Sequence, residues 1–137
     1  MNGTTPALEF DKVTKTYFRS HLGRTTESRG VSELSLSLKA GEVFGLLGLN
    51  GSGKTTAFKL SLGLLRPTAG SVRVVGLPAG SREALGLRGY LPELPYFYPG
   101  LTPAEALSLY GRLSGLAGED LRRRAGRAID DAGLVPH

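Results

Sequence analysis

From Leu8 to Tyr17 apolar and polar residues alternate over much of the stretch, which predicts a half-buried strand with one wet face. Val31 to Leu38 alternates again, with Leu34, Leu36 and Leu38 set against Ser35, Ser37 and Lys39, and predicts a second strand. The polar stretch between them, Arg19 to Gly30, reads as a loop bounded by Gly23 and Gly30. After the Ala40-Gly41 break, Val43, Phe44, Leu46 and Leu47 form a nearly continuous apolar run, the pattern of a strand buried on both faces. Two alternating strands ahead of a continuously apolar one point to an antiparallel sheet leaning on a parallel core.

Ala57, Phe58, Leu60 and Leu62 then predict a helix to about Leu65, stopped at Arg66-Pro67-Thr68-Ala69-Gly70. Ser71 to Val75 reads as a strand, and Ser81 caps a short helical piece through Leu85. Leu87 to Leu91 reads as another short buried strand, followed by the proline-rich aromatic loop Pro92 to Gly100. Thr102-Pro103-Ala104-Glu105 has a cap residue, a proline at the first helical position and an acid in the first turn. The helix it opens carries Leu107, Tyr110, Leu113 and Leu116, and another runs from Glu119 to about Ala132.

Composition narrows the function. The 137 residues suffice for one domain with a real core and are too few for two. No cysteine is present, which excludes disulfides, thiolate metal sites and thiol catalysis, and two histidines, His21 and His137, are too few for a histidine cage. No apolar run is long enough for a membrane helix and no signal-peptide pattern opens the chain, so a cytoplasmic location is expected. The net charge of +5 includes a cluster at Arg122, Arg123, Arg124 and Arg127. On a helix those side chains spread around the circumference, without interleaved aromatics, so a solvated surface is expected and no nucleic-acid partner.

Gly48 to Thr55 fits G-x-x-x-x-G-K-[ST], placed between an apolar strand-like run and a helical one as that motif requires. Gly48, Gly51 and Gly53 let the backbone approach a ligand closely, and the turned amides form an anion nest. The helix beginning near Lys54 adds unsatisfied N–H donors and its positive dipole end. Lys54 reaches β- and γ-phosphates as a point charge, the Thr55 hydroxyl is placed to coordinate Mg²⁺, and Thr56 is a candidate α-phosphate contact. Leu49, Asn50 and Ser52 complete the loop.

These residues resemble the N-terminal part of an ATP-binding-cassette (ABC) transporter ATPase. The resemblance runs from about Leu8 through Ala40-Gly41-Glu42, the loop Gly45 to Thr56, and Leu64 to Val72, in the family's order. It implies an α/β P-loop NTPase fold with an antiparallel β subdomain, an incomplete parallel core sheet and the start of a helical subdomain. It further implies ATP and Mg²⁺ as ligands, a transmembrane transporter subunit and a second ABC ATPase domain as partners, and a peripheral position at the inner face of the cell membrane. Tyr17 matches the family's adenine-stacking aromatic; the plain alternative is a strand-end tyrosine packed on the sheet. Gly89-Tyr90-Leu91-Pro92-Glu93 falls at the loop named for its glutamine, here Glu93. A carboxylate ligates Mg²⁺ but donates no hydrogen bond, and an exposed loop acid is the plain alternative. Tyr96, Phe97 and Tyr98 would border the groove for the membrane subunit, or pack within their own loop.

The family's Leu-Ser-Gly-Gly-Gln signature, its acidic strand end with the general-base glutamate and its switch histidine are all missing from these residues. Leu113-Ser114-Gly115-Leu116 and Ile129-Asp130-Asp131 imitate the first two but sit in helical patterns, and His137 is not assigned to the switch. Residues 1–137 are therefore expected to be a partial nucleotide-binding domain, cut before the elements that complete an active site. Besides a transporter ATPase, a non-hydrolysing nucleotide-binding fragment, a soluble ABC ATPase outside transport and a small P-loop kinase are the competing readings.

Overall fold

The computed structural model describes residues 5–94 and 96–134, and His137 and Pro95 lie outside them. The chain divides between Tyr90 and Leu91 into two units. In the first, β1 (Leu8–His21), β2 (Arg24–Leu38), β3 (Ala69–Val74) and β4 (Leu77–Pro78) form one sheet in the order β2-β1-β3-β4. Every pairing in it is antiparallel. One helix, α1 (Lys54–Ser61), covers its face, and a short α2 (Arg82–Leu85) follows β4.

The core joins Phe10 and Val13 of β1, Val72 and Val74 of β3, Leu60 of α1, and Ala79 and Ala84. Phe10 and Val13 are three residues apart, which strict alternation would send to opposite faces. A bulge with Lys12 at φ 45° falls between them and resets the phase, so both are buried.

Four expectations are corrected. Arg19 to Gly30 is not a loop: β1 and β2 continue as a two-stranded ribbon, paired to His21↔Arg24. The reversal takes only Leu22 and Gly23, at φ 47° and 76°, the positive angles whose twist suits a two-residue hairpin. Helix α1 ends at Ser61, short of Leu65, because Gly63 at φ 67° closes it. The Leu64 amide reaches the Lys59 carbonyl at 2.9 Å and the Gly63 amide the Leu60 carbonyl at 3.0 Å, the paired bonds of a Schellman cap. Neither Val43 to Leu47 nor Leu87 to Leu91 is a strand. Val43 and Leu47 are 99% and 93% exposed, since no described segment lies beside them to take up their backbone groups, and an unpaired strand has nothing to hold it extended. The antiparallel part of the expected sheet is thus formed, and its parallel part has no hydrogen-bonded ladder among the described residues.

The second unit is a helical hairpin, α3 (Pro103–Leu113) and α4 (Gly118–Asp131). Ala106 and Leu121 are its buried side chains, and a Cβ at Gly111 would run into Leu121, so a small residue there lets the helices approach. Of the apolar residues read along α3, Tyr110 and Leu113 are exposed. The cap reads as expected: Thr102 Oγ1 accepts from the Glu105 amide at 3.3 Å, while Glu105 Oε2 accepts from the Thr102 amide at 2.8 Å. Leu113 is the last residue of α3, and Ser114-Gly115-Leu116, expected in a helical run, is instead the turn that caps α3 and leads to α4, with the Leu116 amide on the Gly111 carbonyl at 2.9 Å. Ile129-Asp130-Asp131 belongs to α4 and ends no strand.

The Thr102 amide and, second, the Thr102 hydroxyl at 2.7 Å both donate to Glu105 Oε2 and hold its carboxyl below the ordinary glutamate range. A carboxyl with a lowered folded value stabilises fully above its unfolded value and loses that contribution as pH falls through the folded one. Protection of the first-turn amides of α3, taken relative to the intrinsic exchange rate at each pH, should therefore fall on acidification. Thr102→Ala, which removes the cap oxygen, should lower stability by about 1 kcal/mol, read from a denaturant midpoint. An unchanged midpoint would show that the box is decorative.

Candidate functional site

The segment Gly48 to Thr56 forms a turn that feeds directly into α1. The Ser52 amide closes it on the Leu49 carbonyl at 3.2 Å. Gly51 has φ 84°, and Gly53, at φ 92° and ψ 3°, is the N-cap residue. An L side chain at Gly53 is barred twice, because its Cβ would also run into the carbonyl oxygen of Gly30 on β2. A Cβ at Gly48 would lie 2.7 Å from Ser52 Oγ, which would have to turn away.

No side chain caps α1 and no acid stands in its first turn, so the amides of that turn and the dipole end are left for an anion. Lys54 Nζ folds back over the loop and donates to the Gly48 carbonyl at 2.6 Å and the Leu49 carbonyl at 2.8 Å. Its charge is therefore held at the cradle. Thr55 is exposed in the first turn of α1. Leu49, Asn50 and Ser52 are exposed along the loop. These are the donors that a polyphosphate requires.

Tyr17 is brought to this cradle by β1. Its hydroxyl lies 3.2 Å from Thr56 Oγ1, one residue beyond Thr55 on α1, and Lys15 Nζ stands over its ring 5.5 Å from the centroid. The half-buried ring is thus a partly prepared stacking surface anchored to the helix start. Glu93 is exposed and belongs to the second unit. Among the described residues no three His, Asp or Glu side chains converge on a metal position. A divalent ion would consequently depend on the Thr55 hydroxyl and on oxygens brought by the ligand itself.

Sequence reasoning missed two residues here. Arg88 donates to the Ser61 carbonyl in the last turn of α1 and, at 2.6 Å, to the Ala79 carbonyl, so a cation closes the end of the helix opposite the loop. Burial lowers its pKa from the usual arginine value. Gly30 lies against Tyr17, Gly53 and Thr56 together. Gly30 stood out only as a boundary of the polar stretch, and Arg88 lies in Leu87 to Leu91, whose apolar pattern gives no sign of a helix-capping cation.

In the second unit Arg122, Arg123, Arg124 and Arg127 are all exposed on α4. Asp120 takes Arg123 and, at 3.0 Å, Arg124, and these hydrogen bonds hold its carboxyl below the usual range. Tyr96, Phe97 and Tyr98 are exposed as well, with the Tyr110 hydroxyl donating to the Tyr96 carbonyl at 3.4 Å. Among the described residues no helix is long and apolar enough to cross a membrane.

The family model described as ABC transporter matches residues 31–136. An ABC transporter ATP-binding protein of Synechocystis is 39% identical over 127 residues, 93% of this chain and 35% of its own length. A Nod factor export ATP-binding protein I of Paraburkholderia xenovorans is 38% identical over 118 residues, 85% of this chain and 36% of its own. The chain thus spans little more than a third of the length of these curated relatives. Among solved structures, a dimeric ATP-binding cassette in a post-hydrolysis state bound to ADP and Pi is 25% identical, with a TM-score of 0.71 over 90% of this chain and 56% of that one. The ATP-binding subunit of an ABC transporter is 27% identical, with a TM-score of 0.67 over 86% of this chain and 47% of that one.

Proposed function

The chain belongs to the ABC transporter family, and from that premise we propose that it is the first part of the nucleotide-binding domain of a transporter ATPase. It binds ATP with Mg²⁺ through Tyr17 and the loop Gly48 to Thr56, and in the whole protein this binding, with hydrolysis, drives transport through a membrane subunit. The observation that carries the reading is the cradle itself: an uncapped helix start behind a positive-φ Gly53, with Lys54 held on the loop carbonyls.

Each residue has a separate task. The Gly48 to Gly53 amides and the first turn of α1 bind phosphate oxygens, and Lys54 leaves the Gly48 and Leu49 carbonyls for the β- and γ-phosphates. Thr55 would hold Mg²⁺ together with the ligand's own oxygens, and Glu93 carries a carboxylate, a hard donor suited to Mg²⁺, at the position where the family carries glutamine. Mg²⁺ when bound neutralises phosphate charge. Tyr17 stacks the adenine while its hydroxyl stays tied to Thr56. A second ABC ATPase domain would supply the signature loop opposite the phosphates, a pairing in keeping with the dimeric cassette among the structural relatives. The membrane subunit would meet the exposed aromatic loop at Tyr96 to Tyr98 and hold the domain at the inner membrane face.

These 137 residues contain neither a signature loop nor a general-base carboxylate at a strand end. They bind nucleotide without turning it over. Calorimetry with MgATP on the same sample as a phosphate-release assay tests this: binding with release at the blank level is expected. Steady release that vanishes in Lys54→Ala would overturn it and turn attention to Glu93, Asp130 and Asp131 as bases.

A further inference from the structure

We propose that Gly30 is a positioning residue of the nucleotide site, the point at which β2 sets the Tyr17 ring against the helix that carries the phosphate cradle. The inference rests on the nucleotide-binding reading above.

Gly30 lies 13 residues from Tyr17 and 18 from the start of the loop at Gly48, yet a Cβ built on it would come within 2.7 Å of Tyr17 Cε2, 2.9 Å of Thr56 Cγ2 and 3.0 Å of Thr56 Oγ1. Its carbonyl oxygen is also what bars a side chain at Gly53. One residue of the hairpin therefore touches the stacking aromatic, the N-cap residue of α1 and the hydroxyl that holds the aromatic. The glycine is not there for its backbone angles, because Gly30 is absent from the positive-φ glycines. It is there for volume.

β2 reaches this point by an irregularity in the hairpin. Lys15 pairs with Val31 and Thr16 with Arg29, so Gly30 has no partner across the ladder and is the extra residue of a bulge. Its backbone is thereby placed over α1, where a bulkier residue would have to displace a neighbour. Thr56 is fixed in the first turn of α1 and has a stiff, branched side chain. Tyr17 turns about two side-chain bonds and is half exposed. The ring yields furthest while the Thr56 side chain gives by a fraction of an ångström, and with them goes the 3.2 Å contact between the Tyr17 hydroxyl and Thr56 Oγ1.

Base recognition and phosphate recognition should therefore separate. Base–aromatic stacking supports about 5- to 100-fold in affinity, and a displaced ring forfeits much of that while the loop keeps its amides and Lys54. The test is calorimetric titration of the full chain with MgATP and with magnesium tripolyphosphate, which has the phosphates and no base. Wild type, Gly30→Ala, Tyr17→Ala and the double variant are compared. Gly30→Ala should lose about fivefold or more in ATP affinity with tripolyphosphate affinity unchanged, and adding Tyr17→Ala should cause no further loss.

Unchanged ATP affinity in Gly30→Ala overturns the proposal, as does an equal loss for both ligands, which would make the glycine a support of the loop alone. Should Gly30→Ala fail to fold, the double variant, which removes the ring that the new methyl would strike, should fold and bind as Tyr17→Ala does. A double variant folding no better overturns the proposal too. A wild-type chain that binds neither ligand sinks the nucleotide reading and this inference with it, whereas wild-type binding with no split between variants sinks the inference alone.

Discussion

Gly53→Ala should abolish nucleotide binding and destabilise the first unit together, because one backbone position serves the loop, the helix and the hairpin. At φ 92° an alanine is held in the left-handed region, which costs about 1–2 kcal/mol. The new methyl would also press into the Gly30 carbonyl, a backbone atom that cannot rotate away. Relief requires β2 to lift off α1 or the helix to start later, and either route withdraws the first-turn amides from the cradle. The combined cost should reach about 3 kcal/mol, comparable with the loss of a large core side chain. A denaturation midpoint together with a MgATP titration measures both effects. Wild-type stability with wild-type affinity would show that Gly53 is not the hinge between loop and helix.

Lys54→Ala should lower MgATP affinity by two orders of magnitude and leave stability nearly unchanged. Bonds from a charged donor contribute about 1.5–3 kcal/mol each when they are desolvated, and the side chain would give more than one to the β- and γ-phosphates. In the free chain it satisfies the Gly48 and Leu49 carbonyls, at 2.6 and 2.8 Å, but these are exposed groups that water can serve. Binding and stability therefore part company at Lys54 and move together at Gly53. A titration of each variant against its own thermal midpoint separates the two. Loss of the fold in Lys54→Ala, or retained affinity, would contradict the assignment.

The contrast bears on how far the residues could be read in order. The phosphate loop and the Thr102–Glu105 cap are local: their chemistry lies within a few residues, so their spacing in the chain is already their geometry. The imitation of the acidic strand end was legible through helical periodicity, whereas Ser114-Gly115-Leu116 lies in the turn after α3 and outside the helical run expected of it. The ribbon from Arg19 to Arg29 was not, because both of its faces are wet and Leu22-Gly23 lacks the usual Asn or Asp of a tight hairpin. Gly63 ended α1 before Pro67, since a glycine that completes a Schellman cap acts sooner than a proline four residues on.

Val43 to Leu47 shows the opposite case. Its composition is that of a buried parallel strand, and composition alone does not supply a neighbour with which to pair. The solved cassettes are about twice as long as the part this chain covers, in keeping with a core sheet whose other strands lie elsewhere in such a domain. Gly30 was invisible for a third reason: its role is a contact with residues distant in the chain, and a lone glycine in a polar run carries no trace of it.

The central claim is that a nucleotide sits on this loop, against this tyrosine. Amide hydrogen exchange of the full chain with and without MgATP tests it most directly. Protection is expected at residues 48–57 and around Tyr17, with α3 and α4 unaffected. MgATP that leaves residues 48–57 exchanging as before, or protects another region instead, would contradict the account.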